Sequence, residues 1–183
     1  MDLIQKVGFM ILDFIQENLR TDFLDSAVPY ITSLGDKGWF WICAACALII
    51  IPKTRKIGIA AGIALIFSLL ITNMTLKPLV ERIRPYDINT AVELLIRPPS
   101  DYSFPSGHTS ASFAAASAIF FMDKKIGIPA LILAAVIGLT RLYLYVHFPT
   151  DVLGGAAVGI FAGYMAVKIV NMRMLEDKIF SRL

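Results

Sequence analysis

Residues 57–76, IGIAAGIALIFSLLITNMTL, carry no charged side chain between Lys56 and Lys77. A helix of that length covers about 30 Å, the thickness of a bilayer's hydrocarbon core. This run alone confines the chain to architectures that bury a continuous apolar cylinder or place it in lipid. The composition decides between them. Of 183 residues, 57% are hydrophobic and 17% charged, and mean hydropathy is +0.69. That leaves too little polar surface to coat a soluble domain of this size. A disordered chain would be poorer in Leu, Ile, Val and Phe. Two cysteines cannot make a disulfide scaffold,. The net charge of +3 is too mild to argue for a nucleic-acid partner,.

Four more apolar runs follow the same logic: 38–52, 102–122, 126–140 and 152–167. The helix in the second begins near Ser106, because Tyr102–Pro105 is loop-like. Residues 3–19 mix apolar and polar positions and read as an interfacial amphipathic helix or as a sixth span,. They do not resemble a signal peptide, since Asp2 replaces a basic start and no small-residue cleavage site follows,. The expectation is one all-α integral membrane bundle of five to six transmembrane helices. Its N-terminal helical region covers 1–37, its helical bundle 38–172 and its cytoplasmic tail 173–183. Lys53, Arg55 and Lys56, then Lys124 and Lys125, then the basic tail (Lys168, Arg173, Lys178, Arg182) share one side by alternation, and positive charge marks that side as cytoplasmic,. The loops 77–105 and 141–151 then face outward from the cell membrane.

Several features have structural readings. Cys43 and Cys46 sit in an apolar run and read as buried packing,. Gly155, Gly159 and Gly163 recur every four residues, as do Gly58 and Gly62, and suit close helix packing,. The Ala/Ser-rich stretch Thr109–Ala118 reads the same way. These small faces permit a homodimer without requiring one. Trp39, Trp41 and Tyr86 read as interfacial anchors, and Arg82 and Arg97 as snorkelling ones. Glu81 and Tyr86 are secondary candidates for touching substrate.

Chemistry concentrates in three clusters on the outer side. They are Lys77–Pro85 (KPLVERIRP), Pro105-Ser106-Gly107-His108, and Arg141–Asp151 (RLYLYVHFPTD). Both histidines of the chain lie in them. Ionisable groups at membrane depth are costly and point to function. Lys77, Arg84 and Arg141 offer cations, and an arginine fork pairs with phosphate oxygens. Ser106, Gly107 and His108 open a helix, where free N–H groups and the dipole favour an anion. Asp151 lies four residues after His147, with Pro149 breaking any helix between them, and can orient the imidazole. The constellation reads as a phosphate site. His108, His147 and Asp151 could also ligate a metal, but the surrounding cations oppose a divalent ion.

The pattern K-x6-R-P, P-S-G-H, R-x5-H-x3-D resembles that of the type 2 phosphatidic acid phosphatase family, which shares its site with bacterial acid phosphatases and vanadium haloperoxidases. The motifs cover Lys77–Asp151; Thr140 stands where the family often has Ser. The resemblance implies an acid phosphatase/haloperoxidase-like core and a lipid phosphate substrate. It implies His147 as nucleophile through a phosphohistidine, Asp151 as its orienting group and His108 as general acid. Lys77, Arg84, Ser106, Gly107 and Arg141 would hold the phosphoryl oxygens, with no metal and no cofactor. Undecaprenyl diphosphate is the leading substrate, with phosphatidylglycerophosphate and phosphatidic acid as alternatives. A non-catalytic lipid-phosphate binding or transport protein is the remote alternative.

Overall fold

A computed structural model describes the backbone of residues 3–180 and the side chains of residues 3–172. The basic tail residues Arg173, Lys178 and Arg182 fall outside the described side chains. The described backbone is helical, in the order α1 (Leu3–Asn18), α2 (Asp22–Ser33), a 3-10 turn (Asp36–Gly38) and α3 (Trp39–Ile50). Next comes α4 (Arg55–Ser68), which runs through a π-helical stretch, Leu69–Leu76, into α5 (Lys77–Val80). Then follow α6 (Pro85–Ile88), α7 (Gly107–Met122), α8 (Lys124–Tyr143) and α9 (Pro149–Phe180).

Helix α7 is the axis of the bundle, packed by α4, α8 and α9. Its Ala114, Ala115, Ala116 and Ala118 have no exposed surface. Between lipid-embedded helices there is little hydrophobic drive to associate, so close backbone contact and interhelical hydrogen bonds hold them. Both are present. A methyl added at Gly155 or Gly159 would fall 2.6 or 2.5 Å from the carbonyl oxygens of Ser106 or Ser110. The α9 glycine stripe therefore lies directly on the α7 backbone. Thr72 donates to the Ser110 hydroxyl at 2.8 Å, and Ser68 shares a 2.7 Å hydrogen bond with the same oxygen. Gly58 similarly abuts α3, with Ala45 O 2.5 Å from its Cβ position, whereas the Cβ position of Gly62 meets nothing within 4 Å.

Large apolar side chains line the outside, among them Ile50, Ile66, Leu139, Leu153 and Phe161. Three described helices are long and apolar enough to cross a membrane: Arg55–Ile88, Lys124–Tyr143 and Pro149–Met172. The pair α2 and α3, bent by 43°, passes the same test only when taken together, as a broken span or a re-entrant loop. The 38–52 run alone yields only 12 helical residues, short of a full crossing,. The chain is thus a multi-pass membrane protein. Helix α1 packs Leu12 and Gly8 against the segment after α8: Gly8 nearly touches Phe148, and Gln16 donates to the Tyr143 carbonyl at 2.8 Å. Its other face, with Leu3, Ile4, Met10 and Phe14, is exposed.

Two expectations are corrected. Cys43 and Cys46 are exposed free thiols, not buried ones. A bilayer accepts an apolar side chain equally on a protein-facing or lipid-facing position, so hydropathy could not tell them apart. Trp41 is not an interfacial anchor. It is 2% exposed and its indole donates to Ser112 Oγ at 2.9 Å, whereas Trp39 is exposed.

Candidate active site

The three sequence clusters meet at the end of the bundle where α7 and α9 begin and α4 ends. The turns carrying Lys53–Lys56 and Lys124–Lys125 lie at the opposite end of those helices. Ser106 caps α7, its hydroxyl accepting from Thr109 N–H, while its own N–H donates to the Asp151 carbonyl at 3.0 Å. That bond ties the second cluster to the third.

His147 lies in the loop between α8 and α9 and is 1% exposed. Arg84 Nη1 approaches its Nε2 at 3.2 Å. A guanidinium can only donate, so Nε2 carries the lone pair and Nδ1 the proton. Nδ1 faces Asp151 Oδ2 at 3.6 Å, an ion-pair distance that a hydrogen bond would shorten,. Burial lowers the His147 pKa to about 3, and nearby Arg84 and Arg141 push the same way against Asp151. The ring is therefore neutral at neutral pH, with its lone pair on the cationic side of the site.

Asp151 opens α9 in its first turn and has no exposed surface. Pro149 starts α9, so His147 stays in the preceding loop and no helix runs between the two residues, as the sequence suggests,. Three donors converge on the carboxylate: Ser103 Oγ at 2.5 Å, Phe148 N–H at 2.8 Å and Arg82 Nη1 at 2.6 Å. Arg82 also donates to Thr150 Oγ1 at 2.6 Å and stacks over the Phe148 ring at 4.4 Å. The snorkelling assignment of Arg82 is thus corrected: its guanidinium faces inward and holds Asp151.

Lys77 and Arg84 are buried and share one anion, the Asp101 carboxylate. Lys77 Nζ pairs with Oδ2 and Arg84 Nη2 donates to Oδ1 at 2.7 Å. Arg84 also donates to the carbonyls of Asp101 and Val146 at 2.7 and 2.6 Å. Burial would raise the Asp101 pKa, but its pairing with these two cations outweighs that and holds it at about 2. The pair is therefore placed to grip two oxygens of a single anion. Arg141, 2% exposed, donates through Nη1 to Thr32 Oγ1 at 2.6 Å. Its Nε is buried with no hydrogen-bond partner. A buried cationic donor left unpaired costs free energy unless an anion uses it. Gly107 brings the start of α7 towards Lys77: its Cβ position lies 3.7 Å from Lys77 Nζ. His108 Nε2 meets Asp36 Oδ1 at 2.8 Å.

Every residue singled out in the three motifs lies at this end of the bundle. The Ser106 hydroxyl is engaged in capping α7. Sequence reasoning missed Thr32, Asp36, Asp101 and Ser103. Glu81 is exposed and accepts from Tyr102 at 3.1 Å, and Tyr86 donates to the Pro99 carbonyl at 2.5 Å. Tyr86 is thus partly buried in the fold. Among the described residues, no group of three or more His, Cys, Asp or Glu side chains is placed to hold a metal ion.

This geometry has relatives. The PAP2 superfamily matches residues 58–175. The undecaprenyl-diphosphatase of Sulfolobus acidocaldarius is 29% identical over 167 residues, 90% of this chain and 80% of that protein. The undecaprenyl-diphosphatase BcrC of Bacillus subtilis is 34% identical over 153 residues, 81% of this chain and 76% of that protein. The crystal structure of a transmembrane PAP2-type phosphatidylglycerolphosphate phosphatase from Bacillus subtilis superimposes with a TM-score of 0.76 at 25% identity, covering 98% of this chain and 89% of that one. With the family match spanning well over half of the sequence and its motifs gathered at one end of the bundle, this chain belongs to the PAP2 superfamily and is a membrane-embedded lipid phosphatase of that family.

Proposed function

We propose that the chain hydrolyses undecaprenyl diphosphate at the extracytoplasmic face of the cell membrane, through a phosphohistidine on His147 and without a metal. The observation that carries the lipid reading is an apolar cavity of about 390 Å³ beside the site. It runs from His108 and Gly107 along Gly35, Ile42, Gly62 and Ile66, between α3 and α4, towards the lipid-facing surface. A phosphate seated on Lys77, Arg84 and Arg141 would leave its isoprenyl tail to enter this cleft. A soluble ester would have no use for it.

The chemistry follows from the side chains. Nε2 of His147 attacks phosphorus, forming a P–N bond while the P–O bond to the leaving group breaks. His108 gives its proton to the departing oxygen. A water then attacks the phosphohistidine, His108 takes the water's proton, and inorganic phosphate leaves as the P–N bond breaks. Asp151 holds the Nδ1 proton and balances the charge that grows on the ring. Lys77, Arg84, Arg141 and the N–H groups at the start of α7 stabilise the charge spread over the phosphoryl oxygens. Three positive side chains, Lys77, Arg84 and Arg141, supply the role a divalent ion plays elsewhere.

The outward orientation is supported by the basic turns at the far end of the bundle. The diphosphate substrate is favoured by the two undecaprenyl-diphosphatase relatives. A glycerolipid phosphate is the second reading, on the strength of the phosphatidylglycerolphosphate phosphatase fold match. Phosphate release by the purified protein in detergent with EDTA tests this reading against undecaprenyl diphosphate, phosphatidylglycerophosphate and phosphatidic acid. A preference for the first is expected. Preference for a glycerolipid would replace the substrate, and loss of all turnover restored by a divalent ion would overturn the metal-free mechanism.

A further inference from the structure

The turn between α2 and α3 reaches into the site from a part of the chain that carries none of the three motifs. Thr32, at the end of α2, accepts a hydrogen bond from Arg141 at 2.6 Å. Gly35 stands so close to the general-acid candidate that a Cβ there would lie 2.6 Å from His108 Cδ2. Asp36, next in the chain, places Oδ1 2.8 Å from His108 Nε2. The backbone is shaped for this approach: Lys37 and Gly38 both adopt positive φ, 51° and 69°, turning the chain sharply into α3. Lys77 and Arg141 are the cations acting on His108 from the neighbouring elements.

From this geometry we infer that Asp36 is the positioning residue of the proton-transfer step, holding the His108 ring through Nε2 so that Nδ1 faces the leaving oxygen. The inference rests on the proposed role of His108. The site then contains two carboxylate–imidazole pairs with separate tasks. Asp151 orients the ring that attacks phosphorus, and Asp36 orients the ring that moves protons. In the first step the His108 imidazolium gives its Nδ1 proton to the oxygen whose bond to phosphorus breaks, becoming the neutral Nε2–H ring. In the second, the same nitrogen takes a proton from water, and the Nε2–H remains bonded to Asp36 throughout.

A leaving-group comparison separates this from a merely structural role. An alkoxide needs a proton as it departs, whereas p-nitrophenolate departs without one. The value of kcat/KM reports the first phosphoryl transfer alone. Purified full-length Asp36→Asn protein in detergent should lose kcat/KM on dioctanoyl phosphatidic acid by roughly 100-fold, the lower part of the range for general acid catalysis. Its loss on p-nitrophenyl phosphate should stay under about tenfold, and Asp36→Glu should recover part of the phosphatidic acid activity. Gly35→Ala, which displaces the ring without touching the carboxylate, should show the same skew. Equal losses on both substrates, or wild-type values on both, would overturn the assignment. His108→Ala serves as the reference: if it shows the skew and Asp36→Asn does not, Asp36 alone is misassigned. If His108→Ala shows no skew, His108 is not the acid and the inference falls with that reading.

Discussion

Replacing Arg82 by Met tests whether this side chain belongs to the site or to the lipid boundary. Its guanidinium contacts Asp151 Oδ1 and Thr150 Oγ1, each at 2.6 Å, and covers the Phe148 ring at 4.4 Å. Asp151 has no exposed surface, while Arg82 is 22% exposed. Breaking a buried ion pair by removing one partner costs about 3–5 kcal/mol. Two facts reduce that figure here. Asp151 keeps the hydrogen bonds from Ser103 and Phe148 N–H, and water screens the exposed edge of Arg82. Loss of the stacking on Phe148 adds about 0.5–1 kcal/mol. The expected cost is about 2–3 kcal/mol, or roughly 4–12 °C in apparent Tm for a chain of this size. A snorkelling arginine would cost roughly 0.5 kcal/mol or less. Thermal unfolding of the purified variant in detergent, followed by intrinsic fluorescence, reads the difference. Because Asp151 orients His147, kcat should also fall, by at least about tenfold, and Arg82→Lys should restore only part of it because an ammonium lacks the fork. An Arg82→Met protein with a Tm within 2 °C of wild type and an unchanged kcat would refute the reasoning (about 2 °C is the least that 1 kcal/mol produces).

Two further outcomes follow from the same geometry. Gly62 has open space at its Cβ position and lines the cleft between α3 and α4, so Gly62→Phe should fold normally and obstruct the tail. Its loss of kcat/KM on undecaprenyl diphosphate should exceed its loss on p-nitrophenyl phosphate by at least about tenfold, the lower end of what a few lost apolar contacts produce; equal effects would exclude the cleft as the tail site. His147 makes stability depend on pH with a definite sign. The unfolded imidazole binds a proton near 6.5, whereas the buried native ring does so only near 3. Between these values the unfolded state holds more protons, so stability falls as pH drops from 6.5 towards 3. Tm should therefore be lower at pH 4.5 than at pH 7, and His147→Ala should flatten that slope; an undiminished slope would mean that another group carries it.

Apolar runs and cationic motifs were legible in the sequence because each is written in contiguous residues. The charge-free 57–76 run, the start of α7 at Ser106 and the glycine stripe of α9 all appear where hydropathy and small-residue spacing put them. Helix α2 was not legible, because Asp22, Asp25 and Pro29 interrupt its apolar pattern. Tertiary contacts compensate: Tyr143 donates to Asp25 at 2.6 Å, and Arg20 pairs with the same carboxylate. The side chains supporting the site were hidden for a related reason. Asp36 meets His108 across 72 residues, and Thr32 meets Arg141 across 109. No local spacing encodes such pairs. Arg82 offered one usable signal, its place two residues before Arg84 inside the first motif. Asp101 offered none, being one of four acids, with Glu81, Asp87 and Glu93, in a loop that also carries four cations.

The central claim is that phosphorus passes through a covalent bond to His147. It is tested by rapid acid-free quenching of the purified protein during turnover of a phosphorus-labelled lipid phosphate, followed by peptide mapping. The His108→Ala variant is included with labelled p-nitrophenyl phosphate, whose leaving group departs without an acid, so that slowing the attack of water lets the intermediate accumulate. The label should appear on the peptide containing His147, rise in His108→Ala and be absent from His147→Ala, which should release no phosphate. Turnover by His147→Ala at wild-type rates, or label found on another residue, would contradict the account.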